Sequence, residues 1–213
     1  MKPSISGKTR LISLLGSPVS HSKSPRMQNG VFEALGLDFV YLAFDVGPDG
    51  VEDAIKGIRA MKFRGGNVTM PLKRVVCRYL DRLTPAADMA QAVNVIVNND
   101  GVLTGHISDG EGYMMSLADA GVPYVGKKMT LIGAGGASTA VAIQAAIDGV
   151  RAISIFNHRD DFFAQGEKTV ANLRDKLGCD ARLFDLSDLN KLRQEITESE
   201  DRKSTRLTSH TDI

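Results

Sequence analysis

Apolar, strand-like segments alternate with amphipathic, helix-like segments along most of this chain. In the first half the strand-like segments are Leu11–Gly16, Phe39–Val46 and Gly66–Met70. The segments that follow each of them carry apolar residues every three or four positions, which is the helical period; they are Pro25–Leu35, Val51–Met61 and Pro71–Leu80. Strands joined by helices favour a parallel sheet, because each helix returns the chain to the end of the sheet at which the previous strand began. The chain therefore has the pattern of an α/β fold.

The pattern changes in the middle of the chain. Val93–Val97 and Val102–Thr104 flank the turn residues Asn99-Asp100-Gly101. This is typical of a β-hairpin, so we expect the first sheet to be mixed at one edge. Strand-like segments then alternate again with helix-like ones, in the βαβαβ order of a mononucleotide-binding unit; these strands are Lys128–Ile132, Ala152–Phe156 and Ala181–Phe184.

These patterns predict two domains and a tail. Residues 1–121 form a mainly parallel α/β domain, and residues 122–199 form a partial Rossmann domain with only three of its usual strands. Residues 200–213 are polar and lack apolar periodicity, so we expect this segment to be a disordered or non-native tail.

Composition excludes several classes of function. The net charge of the 213 residues is +1 and aromatic residues make up 6%, so neither a basic field nor a stacking surface predicts nucleic-acid binding. No apolar run approaches the roughly 18 residues that span a bilayer, and the first residues lack a signal peptide's apolar core. Cys77 and Cys179 lie far apart, without metal-ligand spacing. We therefore expect a cytoplasmic protein without a membrane, nucleic-acid or metal partner.

A glycine-rich turn follows the strand-like segment Lys128–Ile132 and opens a helix. Its residues are Gly133, Ala134, Gly135, Gly136, Ala137 and Ser138. In this context Gly133 permits a tight turn, Gly135 lets the backbone approach a pyrophosphate, and the helix N-terminus offers N–H groups. The alternative is a tight turn without a ligand. The context favours a nucleotide.

A polar segment at the end of the next strand should meet the adenine ribose of that nucleotide. Its residues are Asn157, His158, Arg159 and Asp160. Asp160 can accept hydrogen bonds from both ribose hydroxyls and would repel a 2′-phosphate, whereas Arg159 would attract one. Asp160 is equally suited to cap the helix that it begins. Either role leaves NAD modestly preferred over NADP.

Further polar residues lie in loops of the first half and just beyond it. Ser22 and Ser24 belong to a hydroxyl-rich loop before Pro25, where Ser24 is also suited to be a helix N-cap. Thr69 and Lys73 follow the third strand, in an Asn-Val-Thr-Met-Pro-Leu-Lys segment. The other two candidate residues are Asn94 and Asp109. Taken singly, each is as easily a surface residue as a functional one.

Together these motifs resemble those of the shikimate/quinate dehydrogenase family. The resemblance covers residues from about 11 to 190 and rests on five motifs in order: Ser22-Lys23-Ser24-Pro25, Asn67-Val68-Thr69-Met70-Pro71-Leu72-Lys73, Ala92-Val93-Asn94, Asp109-Gly110-Glu111-Gly112 and Gly133–Ser138. Leu83-Thr84-Pro85-Ala86-Ala87 and the segment from Phe156 to Phe163 look closest to the quinate/shikimate branch.

The resemblance implies an NAD(P)-dependent oxidoreductase of the shikimate pathway of aromatic amino-acid biosynthesis. Its members interconvert shikimate and 3-dehydroshikimate, or quinate and 3-dehydroquinate. By resemblance, Ser22 and Ser24 bind the substrate carboxylate, and Thr69, Asn94 and Asp109 bind ring hydroxyls. Lys73 and Asp109 then flank the carbon that is oxidised, as an acid–base pair. Residues 1–121 would be the substrate-binding catalytic domain.

Three departures from the family pattern bear on this hypothesis. Ile107 stands where an Asn is usual, which makes the wall beside Asp109 more apolar. His158 stands where NADP-dependent relatives commonly place an arginine, which favours NAD. The family also continues for several dozen residues, so we expect the present chain to be truncated and inactive alone, and a longer form to be suited to a homodimer.

Two other functions fit parts of the pattern. A non-catalytic fragment or a ligand-binding or regulatory module could keep the same fold, although it would not need both Lys73 and Asp109. Another two-domain Rossmann dehydrogenase, such as one acting on methylene-tetrahydrofolate, would share the glycine turn. The hydroxyl-rich loop at Ser22 and Ser24 fits a small polyol acid better than a pterin.

Overall fold

The computed structural model of the protein describes residues 5–199. Its contacts divide the chain into two compact units, of which the first ends at Ile107 and the second begins at Ser108. Each unit is described by itself below. The predicted tail at 200–213 lies outside the described residues. Within residues 5–199, the helices are all too short or too polar to cross a membrane.

The first unit is built on one six-stranded sheet with the order β2-β1-β3-β5-β6-β4. Its strands are β1 (Arg10–Gly16), β2 (Phe39–Asp45), β3 (Gly65–Val68), β4 (Arg82–Leu83), β5 (Val95–Asn99) and β6 (Val102–His106). Its α-helices are α1 (Ser24–Ala34), α2 (Val51–Ala60) and α3 (Pro85–Ala90), and Pro48–Gly50 and Val75–Tyr79 are 3-10 helices. β1 runs parallel to both β2 and β3, as the alternating pattern predicted.

The hairpin prediction is confirmed. β5 and β6 pair antiparallel, and β5 also runs antiparallel to β3, so the sheet is mixed at this side. The turn places Asp100 and Gly101 at positive φ (52° and 93°), which is why Asn-Asp-Gly suits it. The two-residue strand β4 had no signal in the sequence and pairs parallel with β6 at the edge.

Two helix predictions in this unit need correction. Pro71–Leu80 does not form an α-helix: a turn at 71–74 leads into the 3-10 helix Val75–Tyr79. The reason is that the Lys73 carbonyl accepts a hydrogen bond from the N–H of Val93 (2.8 Å), outside any helix. α1 forms as predicted, but its apolar residues at four-residue spacing face outward. Met27, Val31 and Leu35 are 59%, 45% and 66% exposed.

The second unit carries a three-stranded parallel sheet with the order β7-β8-β9. Its strands are β7 (Lys128–Ile132), β8 (Ala152–Asn157) and β9 (Asp180–Asp185), and its helices are α4 (Asp109–Asp119), α5 (Gly136–Ile147), α6 (Phe163–Leu177) and α7 (Leu189–Glu198). The predicted βαβαβ unit is therefore confirmed. All six residues of β8 are buried, as in a central parallel strand.

Helix α4 packs against α5 within the second unit. Gly110 makes this approach possible, because a Cβ there would collide with the backbone carbonyl of Ala140. The contacts thus group α4 with the nucleotide-type sheet, whereas the sequence indicated a domain boundary near residue 121. That boundary stays a prediction, since contacts alone do not show which part folds independently.

Helix α7 is attached to the second sheet by a buried carboxylate. Glu195 is 2% exposed and pairs with Lys128 (2.6 Å) and Lys191 (2.7 Å), and the hydroxyl of Ser154 on β8 donates to it. Burial by itself would raise the pKa of this carboxyl, but the hydrogen bonds from Lys128, Lys191 and Ser154 outweigh burial and lower its pKa to about 2. The ionised form is therefore the one that the fold stabilises.

We predict that Glu195→Gln lowers the free energy of unfolding by about 3 kcal/mol at neutral pH, because it removes the charge that satisfies two lysines. The folded pKa lies below the ordinary value of 4.5, so this stabilisation is present above pH 4.5 and is lost as the pH falls toward 2. Urea unfolding across that range measures the difference between wild type and variant.

Glu198→Gln is the matched control. Glu198 also pairs with Lys128 (2.7 Å), but its side chain is 48% exposed. We expect this variant to lose less than about 1 kcal/mol. Equal losses in the two variants, or a Glu195→Gln effect that does not change with pH, would contradict the assignment.

Candidate functional site

The loops that follow β1 and β3 are bonded to each other. The N–H of Thr69 donates to the carbonyl of Leu15 (2.8 Å), and the N–H of Ser17 donates to the carbonyl of Met70 (3.1 Å). Gly16 permits this contact, because a Cβ there would collide with the Thr69 methyl carbon. The carboxyl ends of the two parallel strands therefore form one surface, which is where α/β sheets bind ligands.

The hydroxyl-rich loop after β1 ends at the start of α1. The N–H of Ser24 donates to the hydroxyl oxygen of Ser22 (3.2 Å), which leaves the Ser22 hydroxyl proton available as a donor. The interpretation of Ser24 as the helix N-cap is wrong. Ser24 is the first helical residue, and the N-cap is Lys23, without a side-chain capping bond.

Lys73 and Asn94 are held beside the end of β3 by their backbones. The Lys73 carbonyl accepts from the N–H of Val93 (2.8 Å), and the Asn94 carbonyl accepts from the N–H of Val68 (2.9 Å). The structure thus brings the segments of Thr69, Lys73 and Asn94 together around one strand end, although the three belong to two separate stretches of sequence.

Three polar side chains behind this surface, of which Tyr41 is buried and Asn29 and Asn67 are half-buried, were not found from the sequence. The Tyr41 hydroxyl donates to Asn67 Oδ1 (2.9 Å), and Asn67 Nδ2 donates to the Asn94 carbonyl (3.3 Å). Asn29 bonds to both the N–H and the carbonyl of Tyr41, and it also donates to the carbonyl of Pro25 (2.7 Å). This chain of bonds joins the start of α1 to the backbone of Asn94.

Tyr41 is the central member of this network. It is 1% exposed, and burial raises its pKa to about 12, so it remains a neutral hydrogen-bond donor. A buried tyrosine usually finds a partner for its hydroxyl. That rule is the only signal by which the sequence could have indicated a polar contact here, and it does not name the partner.

Asp109 and Ile107 lie on either side of the division between the two units. Asp109 is the first residue of α4, in the first turn of a helix, where the helix dipole favours a negative charge. Ile107 is 8% exposed and ends the first unit. Lys73 and Asp109 therefore belong to different units, and their action as a pair stays a prediction.

The glycine turn of the second unit has the backbone that its sequence predicted. Gly133 has a φ of +102°, a region that favours glycine, and its N–H donates to the Phe156 carbonyl (2.7 Å). The N–H of Ala134 donates to the side-chain oxygen of Asn157 (3.0 Å), so the turn is fastened to the end of β8. A Cβ on Gly133, Gly135 or Gly136 would meet nothing within 4 Å, so these residues border open space.

Ser138 gives an independent sign that this turn is suited to a ligand. Among residues 5–199, its hydroxyl is the one buried side-chain oxygen or nitrogen without a hydrogen-bond partner. It lies in the first turn of α5, whose N-cap Gly135 provides no side-chain capping bond. Backbone N–H groups of a first helical turn have no partners within the helix. These donors fit a pyrophosphate group.

The polar segment after β8 is ordered by its own hydrogen bonds. Asp160 Oδ1 accepts from the N–H of Phe162 (2.9 Å) and from Asn157 Nδ2 (2.8 Å). The interpretation of Asp160 as the helix cap is wrong, because α6 begins at Phe163 and its N-cap is Phe162, without a side-chain capping bond. Arg159 donates to Asp185 at the end of β9 (2.9 Å), and its guanidinium lies 4.7 Å from the centre of the Phe163 ring. Asp185 was not identified from the sequence.

We predict that Tyr41→Phe lowers the free energy of unfolding by about 1 kcal/mol, because it removes the hydrogen bond from the buried Tyr41 hydroxyl to Asn67 Oδ1. Thermal or urea unfolding measures the loss. Tyr79→Phe, which removes a hydroxyl at a half-buried position, is the control and should be nearly neutral. A neutral Tyr41→Phe would show that the network does not contribute to stability.

Comparisons with known proteins agree with one another. The model of the shikimate dehydrogenase substrate binding domain matches residues 14–96. The shikimate dehydrogenase (NADP(+)) of Listeria monocytogenes serotype 4b is 56% identical over 195 residues, which cover 92% of this chain and 67% of that protein. The quinate/shikimate dehydrogenase of Escherichia coli O139:H28 is 43% identical over 184 residues, covering 86% of this chain and 64% of that protein.

Comparison of structures gives the same result. The crystal structure of shikimate 5-dehydrogenase from Listeria monocytogenes, in complex with shikimate and NAD, superimposes with a TM-score of 0.91 at 55% identity. The match covers 93% of this chain and 69% of that one. The fold agrees with that of this relative, and the sequence identity extends over most of the chain. The chain belongs to the shikimate dehydrogenase family.

Proposed function

We propose that this chain is the substrate-binding domain (residues 1–121) and the partial nucleotide-binding domain (122–199) of an NAD(P)-dependent dehydrogenase. It would interconvert shikimate and 3-dehydroshikimate, with quinate and 3-dehydroquinate as a second pair. The observation that carries the proposal is the single surface formed by the ends of β1 and β3, beside which the segments of Ser22, Thr69, Lys73 and Asn94 lie. The Listeria relative whose structure holds shikimate supports it.

Each polar group of that surface suits one part of a small polyhydroxy acid. The hydroxyls of Ser22 and Ser24 would donate to the carboxylate. Thr69 and Asn94 would bind ring hydroxyls, since each side chain can both donate and accept. Asp109 would accept a hydrogen bond from the hydroxyl that reacts. The bonds from Tyr41 to Asn67 and from Asn67 to Asn94 would keep Asn94 in place through its backbone carbonyl.

Lys73 would carry the proton transfer. Oxidation of a secondary alcohol removes a hydride from carbon and a proton from oxygen. The amine of Lys73 would take that proton, and its ammonium form would return it to the carbonyl oxygen in the reverse direction. Asp109 would orient the lysine and the hydroxyl together. When bound, the nicotinamide cofactor supplies the hydride acceptor.

The glycine turn would hold the cofactor. Gly133, Ala134, Gly135, Gly136, Ala137 and Ser138 would surround the pyrophosphate, with the unpartnered Ser138 hydroxyl as an added donor. Asn157, His158, Arg159 and Asp160 would meet the adenine ribose. We propose a modest preference for NAD over NADP. The Listeria structure with bound NAD supports it, although that species' curated relative is named for NADP(+).

A longer form of the protein is proposed to be a homodimer. The exposed Met27 and Val31 of α1, and Leu35 at its C-cap, support this, because they are apolar side chains on a helix that packs on the edge strand β2. Membership of the shikimate pathway follows from the proposed substrate. The expectation of a cytoplasmic protein stays a prediction.

We predict that Lys73→Ala lowers kcat about 10²-fold or more while changing shikimate binding little, because it removes the group that moves the proton. The measurement needs an intact enzyme, made by joining residues 1–199 to the part of the Listeria relative that this chain does not match. Lys56→Ala, at an exposed lysine of α2 that pairs with Glu52, is the matched control. Wild-type turnover in the Lys73 variant would contradict the assignment.

We also predict that the 213-residue chain alone shows little or no turnover. It spans 67% of the length of its Listeria relative, and its described part supplies three strands of the nucleotide-binding sheet. Absorbance of the reduced nicotinamide in the presence of shikimate measures this. Turnover equal to that of the intact enzyme would contradict the prediction.

A further inference from the structure

Arg159 is held in place by two contacts at the carboxyl end of the second sheet. Its Nε donates to Asp185 Oδ2 (2.9 Å), and its guanidinium covers the Phe163 ring. Arg159 follows β8, whereas Asp185 ends β9, the neighbouring parallel strand. Asn157 and Asp185 are paired in register, and the N–H of Leu186 donates to the Asn157 carbonyl (3.0 Å). The two strand ends are therefore joined where Arg159 lies.

The Asp185 carboxylate is fixed as well. Its Oδ1 accepts from the N–H of Ser187 (2.9 Å), and its side chain is 29% exposed, compared with 71% for Arg159. The bond from the Ser187 N–H, and then Arg159, hold the pKa of Asp185 below its ordinary value, so the carboxylate is charged at neutral pH. The more exposed partner of this pair is the arginine.

We propose that Asp185 is a specificity-determining residue that favours NAD over NADP by engaging Arg159. This inference rests on the proposed nucleotide site. Arg159 is the cation nearest in sequence to the ribose-binding position, and a guanidinium binds phosphate best when its donors are not already used. Asp185 occupies one of them and adds a negative charge. Asp160, which is next to Arg159 in the loop after β8, contributes a second carboxylate.

The charges around the adenine ribose follow from this arrangement. A 2′-phosphate brings close to two negative charges into a position flanked by two carboxylates and one paired arginine. A 2′-hydroxyl brings none, and it can donate to a carboxylate. The role of Asp185 is therefore positioning: it acts on the cofactor through Arg159 and needs no contact with the cofactor itself.

The test uses the 213-residue chain and two fragments of the cofactor. 2′,5′-ADP carries the 2′-phosphate and 5′-AMP lacks it, and isothermal titration gives the Kd of each. We expect Asp185→Asn to bind 2′,5′-ADP about two- to fivefold more tightly than wild type, the range that release of an exposed ion pair provides. Its affinity for 5′-AMP should be unchanged, because Asn keeps the oxygen that Ser187 bonds.

Two further variants separate this mechanism from others. Asp180→Asn removes the same charge from the opposite end of β9, where Asp180 pairs with Arg182 (3.3 Å), and it should leave both affinities unchanged. Adding Arg159→Ala to Asp185→Asn should abolish the gain for 2′,5′-ADP, because no released guanidinium is present.

Each alternative outcome overturns the proposal. Unchanged or weaker binding of 2′,5′-ADP by Asp185→Asn would show that Asp185 does not compete with the phosphate. An equal gain in Asp180→Asn would assign the effect to net charge. If wild type binds neither fragment, the proposed nucleotide site itself fails. If it binds both and Asp185→Asn changes neither, only the specificity role fails.

Discussion

The close approach of β1 and β3 at their carboxyl ends determines the shape of the proposed substrate surface. Gly16 has no room for a side chain, because the Thr69 methyl group occupies that space. The Thr69 N–H then reaches the Leu15 carbonyl, and the segment that carries Lys73 starts from that fixed point. A side chain at residue 16 would displace the loop and move every polar group that follows it.

The second unit also has a turn that is bonded to the end of a neighbouring strand. The turn from β7 to α5 is fastened to β8 through the side chain of Asn157, which also bonds to Asp160. One amide thus connects the position suited to a pyrophosphate with the position suited to a ribose. The unpartnered Ser138 hydroxyl lies in the first of these positions. A buried donor without a partner is costly, and the cost is removed when a ligand accepts its hydrogen bond.

Local sequence signals predicted many of the turns, strands and helices of this chain. They did not reveal the hydrogen bonds between residues that lie far apart in the sequence. The hairpin at Asp100-Gly101 and the glycine turn at Gly133 were predictable because a positive φ restricts the residue type at each. The Tyr41–Asn67 and Arg159–Asp185 bonds were not, since each joins residues 26 positions apart on different strands or strand ends.

The helix expected at 71–80 was wrong for a related reason. Its apolar spacing suits a helix, but the Lys73 carbonyl bonds to Val93, a partner that spacing does not reveal. The exposed apolar residues of α1 show, in the same way, that periodicity does not reveal what a helix packs against. Periodicity predicted a helix with one apolar face, and that face is not the one that covers the sheet.

We propose that one surface at the ends of β1 and β3 binds a small polyhydroxy acid. Titration of the isotope-labelled 213-residue chain with shikimate, followed by amide chemical shifts, measures this binding residue by residue. We predict saturable shifts at Ser22, Thr69, Lys73 and Asn94, and none at the opposite end of the sheet near Asp100. Shifts confined to other regions, or none at millimolar shikimate, would contradict it.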